Sequence, residues 1–208
     1  MKRIAESTVR RLSAYLRFLE ESAEKGLETI SSDALARRGG TTSAQVRKDL
    51  SFFGSFGKRG LGYSVPELTS SLQEILGLGR EWNVIIVGAG KIGMALGQYE
   101  GFEQRGFRVR AVYDTDPRKI GTRWGPILVR DMAQVEKDLA NHKADIAVLA
   151  VPVSEAQEAA NRLMKSGVKA ILNFAPTQLQ TPADVSVRNV NMAMELEGLS
   201  FILSNREK

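Results

Sequence analysis

The sequence predicts an α/β protein whose parallel sheet follows a smaller helical domain. From Trp82 onward, near-continuous apolar runs alternate with helical stretches, which is typical of a parallel sheet covered by helices on both faces. Residues 1–76 instead show helical spacing of apolar side chains, and glycines at 77 and 79 favour a linker. We therefore expect three segments: a helical domain over 1–79, a sheet domain over 80–190 and a C-terminal helix over 191–208.

The first two helices are predicted from their end signals. Ser7 can cap a helix that ends near Gly26. Ser31 or Ser32 can cap a shorter helix that stops at Gly39.

A third helix and a glycine-rich segment complete the outline of a winged helix-turn-helix. The helix is predicted over residues 42–53, with apolar side chains on one face and polar side chains on another. Residues 54–63 contain four glycines, which excludes a helix and favours a tight β-hairpin. A fourth helix is predicted from Pro66 to Gly77.

Composition excludes several kinds of site. The 208 residues include no cysteine, which excludes disulfides, thiolate nucleophiles and thiol-based redox sensing. The single histidine, His142, excludes a His-rich zinc site and most catalytic triads, and we expect it in a surface loop. No apolar run has the roughly 18 residues of a membrane span, and a signal-peptide core is absent, so a cytoplasmic protein is expected.

Positive charge is concentrated in the first part of the chain. The net charge is +5, and residues 37–59 hold six Lys or Arg side chains against one acid, Asp49. Such a cluster suits a DNA phosphate backbone, and a solvated basic face is the alternative. The six cations are Arg37, Arg38, Arg47, Lys48, Lys58 and Arg59.

The second part is predicted to form a doubly wound sheet of the Rossmann type, because strands and helices alternate. The strand-like runs cover residues 84–87, 109–113, 127–129, 146–151, 168–172 and 185–190. The helical stretches cover residues 91–104, 131–141 and 154–166.

A glycine fingerprint directly follows the first of these strands. Gly88-Ala89-Gly90-Lys91-Ile92-Gly93 stands between a strand and a helix, the context that a dinucleotide-binding turn requires. We expect the first glycine to permit the tight turn, the second to let a pyrophosphate approach the backbone, and the third to allow close packing of helix and strand.

Other candidate ligand contacts lie at strand ends, where open α/β sheets bind ligands. Asp114 suits both ribose hydroxyls and repels a 2′-phosphate, which favours NAD(H) over NADP(H). The neighbouring Arg118 and Lys119 weaken that preference. Asn173 can hydrogen-bond a carboxamide such as that of nicotinamide, or serve as a plain turn residue. The loop at Val151-Pro152 occupies a corresponding strand end.

Two alternatives remain from the residues alone. A small NAD-dependent oxidoreductase needs an acid or base beside the nicotinamide, and His142 is predicted at the opposite edge of the sheet. Tyr99 and Lys91 are left for that role, but no substrate domain is present, so no catalytic residue is predicted. The second alternative is a CoA- or nucleotide-binding module joined to a basic interaction domain.

The chain resembles the Rex family of redox-sensing transcriptional repressors over nearly its whole length. The segments that carry the resemblance are Arg11–Arg17, Gln45–Gly54, Gly57–Tyr63, Gly88–Gly93 and Ile171–Pro176. The resemblance implies a homodimer that binds an inverted-repeat operator with one winged helix per half-site. It also implies that NADH favours a dimer misaligned for DNA, whereas NAD⁺ permits binding. No metal is implied.

The resemblance assigns residues to three sites. The DNA contacts it implies are Ser32, Ser43, Gln45, Arg47, Lys48, Ser51, Lys58, Arg59 and Tyr63, with Phe52, Phe53 and Phe56 in the domain core. The nucleotide contacts are the six residues of the glycine fingerprint, Tyr99, Asp114, Val151, Pro152, Asn173 and Phe174. Arg17, Asn191 and Met192 belong to the switch and the dimer.

The C-terminal helix and the residue before it carry the implied switch. The helix, from about Met192 to Ser204, is either the last helix of the sheet domain or, by resemblance, exchanged between protomers. Relatives place an Asp at the position of Asn191, where it pairs with an Arg at position 17 or a Tyr at position 99. Asn191 cannot form the charged pair, which implies a different coupling strength in this chain.

Overall fold

The computed structural model describes residues 4–57 and 61–206. The chain divides into two compact units, Met1–Arg80 and Glu81–Lys208. Each unit has its own apolar core. In the part of the chain that is described, no helix is both long enough and apolar enough to cross a membrane.

The first unit contains four helices and a two-stranded sheet. The helices are α1 (Glu6–Glu24), α2 (Ser32–Arg38), α3 (Ser43–Ser51) and α4 (Val65–Ile75), and the strands are β1 (Thr29–Ile30) and β2 (Tyr63–Ser64). The side chain of Ser31 caps α2 by accepting a hydrogen bond from the Ala34 amide, as predicted. The predicted Ser7 cap of α1 is wrong, because that helix already begins at Glu6 and has Ala5 at its N-cap without a side-chain bond.

The glycine-rich segment pairs differently from the predicted hairpin. Residues 54–57 form no strand, and β2 pairs antiparallel with β1, a strand that the sequence did not predict. The two described ends of the segment lie close together, since a Cβ atom on Gly57 would lie 2.6 Å from the carbonyl oxygen of Gly62. Residues 58–60 lie outside the described residues, and with them the predicted wing contacts Lys58 and Arg59.

The core of the first unit is formed by side chains of all four helices and of β2. Leu12, Leu16 and Leu19 of α1 are buried at one face of the helix, as their spacing requires. Phe53 and Phe56 pack against this core. The core prediction is wrong for Phe52, whose side chain is 47% exposed. The remaining buried side chains of this cluster are Tyr15, Leu35, Ala36, Val46, Leu50, Tyr63, Val65, Leu68 and Leu72.

The second unit is a seven-stranded doubly wound sheet, which confirms the predicted fold class. Its strands are β3 (Trp82–Val87), β4 (Phe107–Asp114), β5 (Arg123–Trp124), β6 (Ile127–Asp131), β7 (Ile146–Leu149), β8 (Ala170–Asn173) and β9 (Ser186–Asn189). They lie in the order β5-β6-β4-β3-β7-β8-β9, and every pair is parallel except β5 with β6. β5 was not predicted. Because the order reverses at β3, a crevice is expected between the carboxyl ends of β3 and β7.

Helices follow the strands on both faces of this sheet. They are α5 (Lys91–Gly97), α6 (Glu100–Glu103), α7 (Val135–Asn141) after a 3₁₀ turn and α8 (Val153–Lys165), whereas α9 (Met192–Ser204) follows β9 and buries none of its residues. The single helix predicted over residues 91–104 is broken, because Tyr99 has an extended backbone with ψ 103°. The glycines that flank this break, Gly97 and Gly101, are weak helix formers.

Candidate nucleotide site and DNA-facing helix

A cavity of about 500 Å³ opens at the carboxyl ends of β3, β4 and β7. This is the crevice where the strand order reverses. The glycine turn after β3 forms one side, and Val151 and Pro152 after β7 form another. The other described residues of its wall are Val87, Asp114, Thr115, Asp116, Lys119, Met132, Ala150, Glu155, Glu158, Ala159 and Arg162.

The three fingerprint glycines have three different surroundings. Gly88 has a φ of +104°, and a Cβ atom there would lie 2.3 Å from the carbonyl oxygen of Ala150. A Cβ atom on Gly93 would lie 1.9 Å from the carbonyl oxygen of Gly88, so only glycine permits this turn. Gly90 is different, because nothing lies within 4 Å of its Cβ position and the residue lines the cavity. The turn therefore leaves space for a ligand at Gly90, at the N-terminus of α5.

Asp114 is buried at the floor of the cavity and is already hydrogen-bonded on both carboxylate oxygens. Its Oδ2 accepts from the Ala89 amide at 2.6 Å and from Lys119 Nζ at 3.1 Å, and its Oδ1 accepts from the Asp116 amide at 2.8 Å. Burial alone would raise the pKa of Asp114, but these bonds outweigh it and hold the pKa below its ordinary value. The carboxylate is therefore ionised at neutral pH and faces the cavity as an acceptor.

Of the two roles open to Asn173 from the sequence, its hydrogen bonds fit that of a turn residue. Its side chain is fully buried. The amide nitrogen donates to the carbonyls of Ala175 and Thr177 and to Asn189 Oδ1, while the side-chain oxygen accepts from the Ala175 amide. With these bonds made, Asn173 shapes the loop after β8 instead of presenting its carboxamide to a ligand.

Four other predicted nucleotide contacts, Lys91, Ile92, Tyr99 and Phe174, do not belong to the described cavity wall. Lys91 and Ile92 are exposed at the start of α5, and Phe174 is half-buried against the sheet. Tyr99 precedes α6, is 58% exposed and packs edge-on against Phe102. It is not part of the described cavity wall.

In the first unit, α3 presents the basic side chains predicted to contact DNA. Arg47 and Lys48 are both exposed, and Arg47 Nη1 donates to Ser32 Oγ at 2.9 Å. Ser51 is exposed and donates to the carbonyl of Lys48, while Ser43 begins the helix. Of these residues, Ser32, Arg47 and Ser51 line a groove between α2, α3 and the glycine-rich segment.

The one acid of the basic segment is removed from its surface. Asp49 is fully buried and accepts hydrogen bonds from Arg11 and Gln45. Of the basic residues, Arg38 is directed elsewhere, because it pairs with Glu21 and its guanidinium lies 5.2 Å above the ring of Phe18. The exposed surface of α3 is therefore more basic than the sequence count indicates.

Two residues that were predicted to contact DNA make most of their side-chain contacts within the domain. Tyr63 is only 7% exposed and belongs to the core cluster, and burial raises the pKa of its hydroxyl. Gln45 is half-buried and donates its amide hydrogen to Asp49. Tyr63 therefore packs in the core while also lining the groove, and Gln45 keeps its side-chain oxygen and its second amide hydrogen for other partners.

Comparison with known proteins gives consistent matches over the whole chain. Two family models match, a "CoA binding domain" over residues 79–177 and a "Putative DNA-binding protein N-terminus" over residues 3–51. The redox-sensing transcriptional repressor Rex of Carboxydothermus hydrogenoformans is 47% identical, covering 96% of each chain. Rex 1 of Thermotoga maritima is 42% identical over 99% of this chain and 98% of its own. The chain belongs to the Rex family.

Solved structures of a Rex-family repressor, RSP, match the full chain. RSP in complex with β-NAD⁺ and operator DNA has a TM-score of 0.94 and 40% identity, covering 100% of this chain and 95% of its own. RSP in complex with β-NADH has a TM-score of 0.90 and 38% identity, covering 100% and 97%. The predicted family resemblance is thereby confirmed.

The positions implied for the Rex switch lie on the surface. Arg17 is exposed on α1, and Met192 is 66% exposed at the start of α9. Asn191 is the N-cap of α9, with its Oδ1 accepting hydrogen bonds from the amides of Ala193 and Met194. The apolar side chains of α9 are exposed by 46–69%: Met194, Leu196, Leu199, Phe201, Ile202 and Leu203.

Sequence reasoning missed the wall that α8 contributes to the Rex cavity. Glu155, Glu158, Ala159 and Arg162 line it, and Arg162 forms two hydrogen bonds with Glu136. Their spacing of three and four residues is the signal of a common helix face. Only the packing of α8 shows that this face borders the cavity. Among the described residues, no group of three or more His, Asp or Glu side chains could hold a metal ion.

Proposed function

We propose that this Rex-family chain is a transcriptional repressor that binds operator DNA as a homodimer in the cytoplasm and is released by NADH. The observation that carries the proposal is the presence of both required surfaces in one chain: an exposed basic helix in the first unit and a nucleotide cavity in the second. A full-length relative with the same fold has been solved with NAD⁺ and operator DNA, and with NADH.

On the DNA side, α3 is the recognition helix. Arg47 and Lys48 reach base edges and phosphates in the major groove, with Ser32, Ser43 and Ser51 beside them. The exposure of both cations and the burial of Asp49 support this assignment. Lys58 and Arg59 complete the surface by contacting an adjacent minor groove or its phosphates.

On the nucleotide side, the turn at Gly88–Gly93 holds the pyrophosphate and Asp114 holds the ribose. The open space at Gly90 and the N-terminus of α5 fit an anionic group that approaches the backbone. The ionised carboxylate of Asp114 fits a neutral ribose diol and disfavours a phosphate at that place. These residues therefore fit NAD(H), with Val151 and Pro152 forming the opposite wall.

Dimerisation is assigned to α9. A helix that exposes this many apolar side chains needs a covering surface, and a second copy of the chain supplies it in a homodimer. Asn191 fixes the start of α9, so a switch at this position acts on the helix through its cap. The function is regulatory, and we assign no catalytic step to this chain.

The decisive experiment is fluorescence anisotropy of a labelled inverted-repeat duplex near physiological salt, with a scrambled duplex as control. NADH, NAD⁺ and CoA are titrated separately into the complex. Release by NADH but not by NAD⁺ is expected, and DNA must weaken NADH binding by the same factor. Equal binding of both duplexes would contradict specific recognition. Steady consumption of NADH with small carbonyl compounds would favour an oxidoreductase, and release by CoA alone would favour a CoA-binding module.

A further inference from the structure

We propose that Lys119 sets how strongly the nucleotide cavity rejects a phosphate on the ribose 2′-oxygen, a specificity that rests on the nucleotide binding proposed above. Lys119 lies beside Asp114 because the chain turns tightly after β4, with the Lys119 amide donating to the carbonyl of Asp116 at 2.9 Å. Its ammonium is 3.1 Å from Asp114 Oδ2, and both residues line the cavity. A ligand at this strand end therefore contacts a negative and a positive side chain together.

The hydrogen bonds of Asp114 leave limited room for a ribose. An ionised carboxylate offers about four acceptor sites. Three are filled, two of them by the backbone amides of Ala89 and Asp116, whose positions are fixed by the turn and the strand. A ribose that donates two hydroxyl hydrogens therefore needs the site that Lys119 occupies. The lysine is the donor that can yield, since its side chain is flexible and 40% exposed.

The charges of the pair act in opposite directions on a phosphorylated ribose. The carboxylate of Asp114 repels a 2′-phosphate, and the ammonium of Lys119 attracts it. Because the two groups lie within one hydrogen bond of each other, the attraction offsets part of the repulsion. Lys119 consequently makes the discrimination between NADH and NADPH weaker than Asp114 alone would make it.

The neighbouring cation, Arg118, does not share this role. Its guanidinium makes hydrogen bonds to both carboxylate oxygens of Asp116, at 3.0 and 2.8 Å. Its side chain is 89% exposed and is not part of the described cavity wall. The chain thus offers two adjacent positive charges, of which one faces the ligand, and Arg118 is a matched control for Lys119.

The test compares Lys119→Met with Arg118→Met in the full-length protein. NADH and NADPH are titrated separately, with binding followed by the fluorescence of the reduced nicotinamide near physiological salt. Lys119→Met should raise the ratio of the NADPH Kd to the NADH Kd by about tenfold, which is about 1.4 kcal/mol. Arg118→Met should change the ratio by less than about twofold, since exposed ion pairs contribute little. Lys119→Arg, which keeps a cation, should restore most of the wild-type ratio.

Other outcomes separate the two proposals. If Lys119→Met weakens both nucleotides in parallel, Lys119 only holds Asp114 in place and the specificity role is wrong. If Arg118→Met changes the ratio equally, net charge rather than position is responsible, which also contradicts the proposal. A wild-type protein that binds neither nucleotide contradicts the proposed function instead. Where wild-type NADPH binding is too weak to measure, the same comparison in an Asp114→Asn background brings it into range.

Discussion

The guanidinium of Arg11 makes two hydrogen bonds to the fully buried carboxylate of Asp49, from Nε to Oδ2 at 2.6 Å and from Nη2 to Oδ1 at 2.8 Å. Arg11 belongs to α1 and Asp49 to α3, so the pair ties the proposed recognition helix to the helix behind it. Tyr15 also donates to Oδ2, at 3.1 Å. The orientation of α3 therefore depends on a carboxylate that is buried inside the domain.

Removal of this carboxylate should destabilise the first unit. Asp49→Ala leaves Arg11 and Tyr15 without their acceptor, and we expect a loss of about 3 kcal/mol in the free energy of unfolding. Urea unfolding followed by far-UV circular dichroism measures it. Arg10→Ala, which breaks only an exposed pair with Glu6, should cost less than about 0.5 kcal/mol. Equal costs for the two variants would mean that the buried pair contributes nothing beyond a surface one.

The same carboxylate should make the free energy of unfolding depend on pH in the acidic range. Burial alone would raise the pKa of Asp49, but hydrogen bonds from Arg11, Gln45 and Tyr15 outweigh it and hold the pKa below the ordinary value of 3.8. Since the folded-state pKa is the lower one, the stabilisation is complete above the unfolded-state pKa and is lost as the pH falls through the folded-state pKa.

The measurement is the free energy of unfolding of wild type and Asp49→Asn from about pH 6 down to about pH 3, a range that includes the onset of this loss. The difference between the two proteins should shrink as the pH falls. A difference that stays constant over this range would show that Asp49 does not titrate with folding.

Gly90 and Gly93 form a matched pair for separating ligand binding from folding. Gly93→Ala places a Cβ atom 1.9 Å from the carbonyl oxygen of Gly88, so we expect the second unit to lose about 3 kcal/mol of stability. Gly90→Ala meets no protein atom within 4 Å and should cost about 1 kcal/mol or less, as a change at a helix N-cap.

The order of the two variants should reverse for nucleotide binding: per folded molecule, Gly90→Ala should weaken NADH binding more than Gly93→Ala does. Gly90→Ala narrows the cavity at the pyrophosphate position, and its NADH Kd should rise by more than about tenfold. Both tryptophans, Trp82 and Trp124, lie in the second unit, so their fluorescence reports its unfolding. If Gly90→Ala binds NADH as tightly as the wild type does, the pyrophosphate does not bind at this turn.

Arg47 and Arg38 carry the same charge in the same segment but should contribute differently to DNA binding. Arg47→Ala should weaken operator binding by about 1–3 kcal/mol, because the side chain is exposed on α3. Arg38→Ala should cost less than about 0.5 kcal/mol, since its guanidinium is engaged by Glu21 and Phe18. Anisotropy titrations at several salt concentrations measure both, and equal losses would indicate a diffuse basic surface rather than a recognition helix.

Local sequence was sufficient to predict the order of the main elements. The cap at Ser31, the alternation of strand and helix from Trp82, and the glycine turn at Gly88–Gly93 all depend on neighbours in the chain. Short-range hydrogen bonds and steric limits act within a few residues, so their signals can be read from composition and spacing. The family resemblance likewise rested on short segments, among them Gln45–Gly54, Gly57–Tyr63 and Gly88–Gly93.

Only the tertiary structure decided what the individual polar side chains do. Asp49 accepts a hydrogen bond from Arg11, thirty-eight positions away in the sequence. Asn173 donates to the backbone of its own loop. Lys119, and not Arg118, donates to Asp114. A buried polar group must be paired, and its partner is whichever donor the packing of distant elements brings within about 3 Å. Sequence spacing does not contain that distance. The sequence therefore determined where the sites lie, and the packing determined which residues are free to act in them.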